Sequence, residues 1–372
     1  MIDWNHIEST VLEKFEEGLR QTKQSPKWHE EGDVYIHTMM VFNELQSLPD
    51  YQELDEKHKH ILNIATLLHD IGKITNTVFE NGDWHTPHHA SKGSRMAREL
   101  LWKDYGLCGQ KELMEIREAI CQLIDYHSFP QNAIRKEGST LKLHKIASNG
   151  LLAPDFSIKM LCILAKADMK GRICYEIDDA LERIAYCEEL AKEEGCYESC
   201  FPFPTLQTQR AFLSGRNVWK SQDLFDETWG EVIMMSGLPG TGKDNWIQKN
   251  IPDLPMVSLD VIRRENKILP TENQGTVANI AKEQAKAYLR KHQPFVWNAT
   301  NITTPMRESL INLFESYNAH VRIVYLETDW ETQIERNDSR EDSVPQRVIE
   351  DMFDKLVLPE RYEARKVEWI CV

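Results

Sequence analysis

No apolar run in this 372-residue chain is long enough to cross a bilayer, so no membrane span is expected. The opening residues, Met1-Ile2-Asp3-Trp4-Asn5-His6, lack the basic stretch and hydrophobic core of a secretory leader, which points to the cytoplasm. Eight cysteines are scattered, and Cys196 and Cys200 have no second pair to complete a zinc site. Reduced thiols are the expectation. Positive charge is short as well. The formal net charge of −15 excludes a broad, non-specific grip on nucleic acid. Neither internal repeats nor low-complexity tracts interrupt the chain.

What remains is an ordinary globular composition, 41% apolar and 28% charged, at a length suited to two domains. The acid is uneven. Residues 1–228 hold 26 basic against 37 acidic side chains, and residues 229–372 hold 18 against 22. Any contact with RNA or DNA must then be local, made by a few placed arginines at a strand end.

Periodicity divides the chain. Ile61, Leu62, Ile64, Ala65, Leu67 and Leu68 recur at helical spacing, as do Ile116, Ile120, Leu123 and Ile124, and later Met160, Leu161, Ile163 and Leu164. Alternation typical of strands is scarce there, so residues 1–200 are expected to form an all-α domain. Residues 201–228, broken by Pro202 and Pro204, read as a connector. From 229 to 372 the short apolar runs Val232–Met235, Met256–Leu259, Phe295–Trp297 and Val321–Leu326 alternate with polar helical stretches. Buried parallel strands between helices predict a three-layer α/β domain.

The first domain collects His37, His69, Asp70, His89, Asp125, His127 and Asp168. Imidazole and carboxylate together suit a divalent transition metal: manganese, iron, cobalt, nickel or zinc. A lone histidine on an apolar helix is usually a satisfied polar group. Two adjacent ionisable residues in Leu67-Leu68-His69-Asp70-Ile71-Gly72-Lys73 are costly without a partner. The order of His37, His69-Asp70 and Asp168 resembles the HD-domain phosphohydrolases. That resemblance implies four metal ligands at these positions. His89, or its neighbour His88, and His127 would serve a second ion or contact the substrate phosphate. It also implies that Lys73 pairs with a phosphate oxygen, the alternative being a solvated lysine at a helix end. The expected chemistry is metal-assisted in-line hydrolysis of a phosphoester.

The second domain opens with Gly237-Leu238-Pro239-Gly240-Thr241-Gly242-Lys243-Asp244, a Walker A pattern between a predicted strand and a predicted helix. Gly237, Gly240, Thr241 and Gly242 would turn backbone N–H groups toward the phosphates of ATP or another NTP, and Lys243 would reach the terminal phosphates. The usual Ser/Thr magnesium ligand is absent. Asp244 stands in its place, either as a Mg²⁺ ligand or as a helix N-terminal charge. Asp260 and Arg263 follow, then Asn298, Arg307, and Arg336 and Arg340 at a spacing that would share one helix face. These elements resemble the 5′-OH polynucleotide kinases of RNA repair. By that likeness Asp260 is the general base, Arg263 clamps the acceptor phosphate, and Arg336 and Arg340 form the lid. Arg307 is assigned to the substrate. Asp260 as a helix N-cap and the two lid arginines as an ion-paired face are the blander readings. Asn298 stands where relatives often have Asp, with its role open.

The whole order, with nearly the full chain covered, resembles the HD-Pnk family of bacterial RNA end-healing enzymes. The resemblance implies removal of a 2′,3′-cyclic phosphate or a terminal 2′- or 3′-phosphate, and phosphorylation of a 5′-OH. The products would suit a ligase. Two other readings stand beside it. One is a metabolic small-molecule kinase fused to an HD-type nucleotidase; the other is a regulatory switch in which bound nucleotide gates the HD domain.

Overall fold

The computed structural model describes residues 2–133, 138–268, 274–340 and 342–372. The chain divides into two units, Met1–Leu107 with Glu112–Pro202, and Cys108–Lys111 with Phe203–Val372.

The first unit is helical and built around the Glu56–Leu68 helix, in which every residue from Ile61 to Leu68 is buried. A helix buried all round belongs at the centre of a bundle. Asp55 caps its start by accepting the amide of His58. Asp33 and Ser157 cap the Val34–Ser47 and Ile158–Lys170 helices in the same way. These last two helices pack on each other, which brings distant parts of the chain to one interior point. Gly72 is required by space. A Cβ there would lie 2.0 Å from the carbonyl oxygen of His89 and 2.5 Å from the amide nitrogen of Gly93. The missing side chain lets the turn after Asp70 abut the His89–Lys103 helix.

One feature departs from an all-helical first domain. Val78–Glu80 pairs antiparallel with Asp83–His85 across Asn81-Gly82, both at positive φ. Asn-Gly is the preferred pair for such a tight hairpin turn.

The second unit holds a five-stranded parallel sheet, as expected. Its order is Met256–Ser258, Phe295–Asn298, Glu231–Ser236, His320–Glu327, Lys366–Cys371. The fifth strand was not anticipated. Lys-Val-Glu-Trp-Ile-Cys is an edge strand with alternating burial and lacks the continuous apolar run of its neighbours. The Glu231–Ser236 strand is central and the glycine-rich loop leaves its C-terminal end. In an open α/β sheet this is where ligands collect. The segment read as a connector is anchored in this unit from Phe203 onward. It forms the Leu206–Leu213 helix, and Arg210 pairs with Glu315 at 2.8 Å and donates to the Tyr362 carbonyl at 2.9 Å.

Candidate functional site

Six of the predicted metal residues converge in the first unit. His69 and Asp70 end the buried central helix, and His37 and Asp168 come from the Val34–Ser47 and Ile158–Lys170 helices. His89 opens the His89–Lys103 helix, and His127 follows Tyr126 at the end of another. His37 Nε2 lies 3.1 Å from Asp168 Oδ1 and 3.5 Å from Asp70 Oδ2. His69 Nε2 lies 3.3 Å from Asp70 Oδ2, and His89 Nε2 lies 3.4 Å from both Asp70 Oδ1 and His127 Nε2. Besides a group of His29, Glu31 and His37, two donor sets form among these six residues, His37 with His69 and Asp70, and Asp70 with His89 and His127. Asp70 belongs to both.

The hydrogen bonds fix which ring nitrogen faces this centre. His69, His89 and His127 each present Nδ1 to the carbonyl three residues upstream, on Thr66, Thr86 and Ile124, at 2.7 to 2.8 Å. Donating there places the proton on Nδ1 and leaves the Nε2 lone pair pointing inward. His69 Nε2 and Asp70 Oδ1 are buried with no hydrogen-bond partner, which is the state of groups made for an ion. Burial disfavours charged His127 and His89, and His127 is pushed down to about 3 with help from His89 and His69. Burial also opposes ionised Asp70 and Asp168, but Lys73 and His69 hold Asp70, and Arg172 and His37 hold Asp168, well below the usual carboxylate range. Neutral imidazoles, as at His89 and His127, and ionised carboxylates are the ligand forms, while His69, against its burial, is drawn upward by Asp70 and Asp168. The residues present therefore fit a divalent cation.

Of the surrounding groups, Gln24, Arg172 and Glu31 had no sequence signal, whereas Lys73, Asp125 and His88 did. Lys73 is buried, and its ammonium spans Asp70 Oδ2 at 2.7 Å and Gln24 Oε1 at 2.8 Å. Arg172 forms a two-point pair with Asp168, at 2.6 and 3.1 Å. Asp125 accepts the Ser91 hydroxyl at 2.7 Å and belongs to neither donor set. His88 is exposed in a left-handed turn, so His89 faces the centre. His37 differs from the other histidines. Its Nδ1 lies 3.0 Å from Glu31 Oε1, while Glu31 Oε2 accepts the Ile173 amide at 2.9 Å. A carboxylate behind a ligating imidazole orients it and raises its basicity. Glu31→Ala is expected to weaken metal binding about 10- to 100-fold, read by titration of the metal-free protein.

In the second unit Gly237 and Gly240 take φ of 137° and 82°, and a Cβ on either would lie 2.4 Å from a backbone oxygen, of Leu326 and Gln333 respectively. Glycine is needed there for both conformation and room. Thr241 turns its hydroxyl into the loop, onto the Leu238 carbonyl at 2.9 Å. Lys243 Nζ arches back over the carbonyls of Gly237 and Leu238, at 2.9 and 2.7 Å. Burial draws this ammonium down to about 8, opposed by Asp244 and Asp260 and assisted by Arg340. A triphosphate would exchange those carbonyls for oxygens carrying full charge.

Asp260 is exposed in the first turn of the Leu259–Asn266 helix, whose N-cap is Ser258. Arg263 Nη1 donates to Asp260 Oδ1 at 2.6 Å, and Arg340 Nη2 lies 3.9 Å from Asp260 Oδ2. Arg336 Nη1 lies 3.5 Å from the point where a Gly242 Cβ would stand. The helix carrying Arg336 ends at Asp338, so Arg340 lies beyond it and the two arginines do not share a helix face. Asn337 accounts for the early end. Its side chain donates to the Val344 carbonyl and accepts the Val344 amide, tying the following turn down. Asn298 donates to Asp244 Oδ1 at 2.6 Å.

Arg307 requires a correction. It is fully buried, its guanidinium pairs with Glu363 at 2.6 and 2.8 Å, and it donates to the carbonyls of Asn301 and Val357. With its donors turned inward it is a core strut and does not face a substrate. Arg307→Ala is expected to cost about 3–5 kcal/mol of stability by stranding a buried carboxylate. Denaturant unfolding checks this; a fully stable variant with a raised acceptor KM would restore the substrate role.

Comparison with known proteins agrees with this division. A family model described as an HD domain matches residues 34–154, and one described as an AAA domain matches residues 232–359. Heterogeneous nuclear ribonucleoprotein U-like protein 2 of Mus musculus is 26% identical over 149 residues, covering 35% of this chain and 20% of that protein. Multifunctional CCA protein of Psychromonas ingrahamii is 28% identical over 155 residues, 41% of this chain and 33% of that one. Its counterpart in Shewanella frigidimarina is 27% identical over 177 residues, 45% and 37%. The chain thus spans about a fifth to just over a third of these relatives' lengths. No helix among the described residues is long and apolar enough to cross a membrane. Domain models and geometry together identify an HD phosphohydrolase domain followed by a kinase-like P-loop domain of the AAA type.

Proposed function

We propose that the protein heals nucleic-acid ends, with RNA as the leading substrate. The HD domain removes a 2′,3′-cyclic phosphate or a terminal 2′- or 3′-phosphate, and the P-loop domain phosphorylates a 5′-OH. The observation that carries the kinase half is the gathering of Asp260, Arg263 and Arg340 beyond the C-terminal ends of the strands, where Asp260 and Arg340 both act on the charge of Lys243. Asp260 takes the proton of the 5′-hydroxyl as its oxygen bonds to the γ-phosphorus. The bond from that phosphorus to the β–γ bridging oxygen breaks, and the nucleoside diphosphate leaves. Arg263 holds the phosphate beside the acceptor, while Arg336, Arg340 and Lys243 offset charge on the donor.

In the HD domain His37, His69, Asp70 and Asp168 would hold one divalent ion, and Asp70, His89 and His127 a second. When bound, such an ion activates water and neutralises phosphoryl charge. Lys73 lies beside Asp70 and is placed to pass from that carboxylate to a phosphate oxygen of the substrate. The 3′-OH and 5′-phosphate ends so made suit a ligase. One relative's name, a ribonucleoprotein, accords with RNA.

An acceptor series tests the kinase half. Transfer from labelled ATP is expected to a 5′-OH oligoribonucleotide and to a nucleoside 3′-monophosphate, and not to the free nucleoside, which lacks the phosphate that Arg263 grips. Equal use of the free nucleoside would favour a metabolic kinase. No transfer to any acceptor would favour a nucleotide-gated switch.

A further inference from the structure

A P-loop ordinarily divides its Mg²⁺ between two positions, a Ser or Thr hydroxyl directly after the lysine and a carboxylate at the end of a neighbouring strand. In this chain both positions are filled by the other's kind of group. The residue after Lys243 is the acid, Asp244, in the first turn of the Lys243–Asn250 helix. The Phe295–Asn298 strand runs parallel beside the Glu231–Ser236 strand that feeds the loop, and its last residue is the neutral Asn298. The two side chains touch. Asn298 Nδ2 donates to Asp244 Oδ1 at 2.6 Å, and Asn298 is itself buried, with the Met256 sulfur 3.5 Å away. Asp244 is exposed, and among the described residues its side chain is held through Oδ1 alone.

We propose that Asp244 and Asn298 have exchanged the two customary roles, so that Asp244 is the carboxylate ligand of the nucleotide's Mg²⁺ and Asn298 orients it. The idea rests on nucleotide binding at this loop and adds which residues hold the cation. Charge supports the pairing. Either arrangement supplies one carboxylate, whereas two carboxylates at the 2.6 Å separation seen here would repel. An amide at the strand end is the group that can donate to Asp244 without adding a second negative charge.

The test uses the full chain and a fluorescent non-hydrolysable ATP analogue, with affinity measured in Mg²⁺ and again in EDTA. The ratio of the two is the metal-dependent gain. Asp244→Ser is expected to lower this gain about tenfold or more, and Asn298→Ala and Asn298→Asp each by about tenfold, as for a lost outer-shell partner. Affinity in EDTA should stay near that of the parent, which also reports an intact fold. The double variant Asp244→Ser with Asn298→Asp restores the customary order and is expected to recover most of the gain. Such non-additivity is the signature of a coupled pair. Losses that add in the double variant, or a full gain in Asp244→Ser, would overturn the exchange. So would a variant that loses affinity equally in EDTA, since the defect would then lie in the loop. A parent protein that binds no analogue in either condition would remove the nucleotide reading itself, a different result from a parent that binds while the pair fails.

Discussion

Asp70→Asn is expected to lower phosphate removal at least about 1,000-fold, roughly 4 kcal/mol of barrier, and to leave 5′-phosphorylation within about twofold. The size follows from position. Asp70 is the one carboxylate shared by both donor sets, and its Oδ1 is buried without a hydrogen-bond partner. Asparagine keeps the shape and removes the charge that would bind an ion. Metal content after dialysis should fall in step with activity. A variant that keeps its metal and its phosphatase would sink the assignment. The buried Lys73 ammonium would keep Gln24 but lose its carboxylate partner, so some loss of stability is expected as well. Circular dichroism separates that from loss of the metal. His127→Ala, which removes a donor from the second set without exposing Lys73, should lower the activity too.

Lys243→Ala should do the reverse, lowering phosphoryl transfer about 100- to 1,000-fold or more while sparing phosphate removal. In the proposed reaction the lysine would bring an ammonium to the γ-phosphate from within the loop itself. Arg336, within the Trp330–Asp338 helix, stands beside Gly242, and Arg340 lies beyond the end of that helix, 3.9 Å from Asp260. In the structure Lys243 covers two loop carbonyls, so the alanine variant leaves those oxygens to solvent and should fold. Loss of both activities in a folded Lys243→Ala protein would contradict two independent sites.

Both of these residues were legible in the sequence because local pattern carried them. His-Asp at the end of an apolar helical run is a costly pairing that signals its own purpose. The glycine-rich loop needs a strand before it and a helix after it, and both are where the apolar runs place them. What was not legible depends on contacts between distant segments. Arg307 reads like any other arginine after a strand until Glu363, 56 residues on, is seen to pair with it. Glu31 sits in an aperiodic stretch before a helix, and only folding brings it to His37. Arg340 was expected on a helix whose end is set by the Asn337 side chain, a local bond to Val344 that hydrophobic periodicity does not register. The hairpin over Val78–His85 is a different case, since Asn81-Gly82 was visible and its flanking strands were simply too short to show alternation.

The most direct test of the central claim uses one short RNA with a 5′-OH and a 2′,3′-cyclic phosphate. It is incubated with the full chain, ATP and Mg²⁺, and separately with Mn²⁺, Co²⁺ or Ni²⁺ added, and both ends are read by mass spectrometry. The account predicts gain of a 5′-phosphate and loss of the terminal phosphate at the other end. An RNA unchanged at both ends, beside turnover of ATP or hydrolysis of free nucleotides, would contradict it.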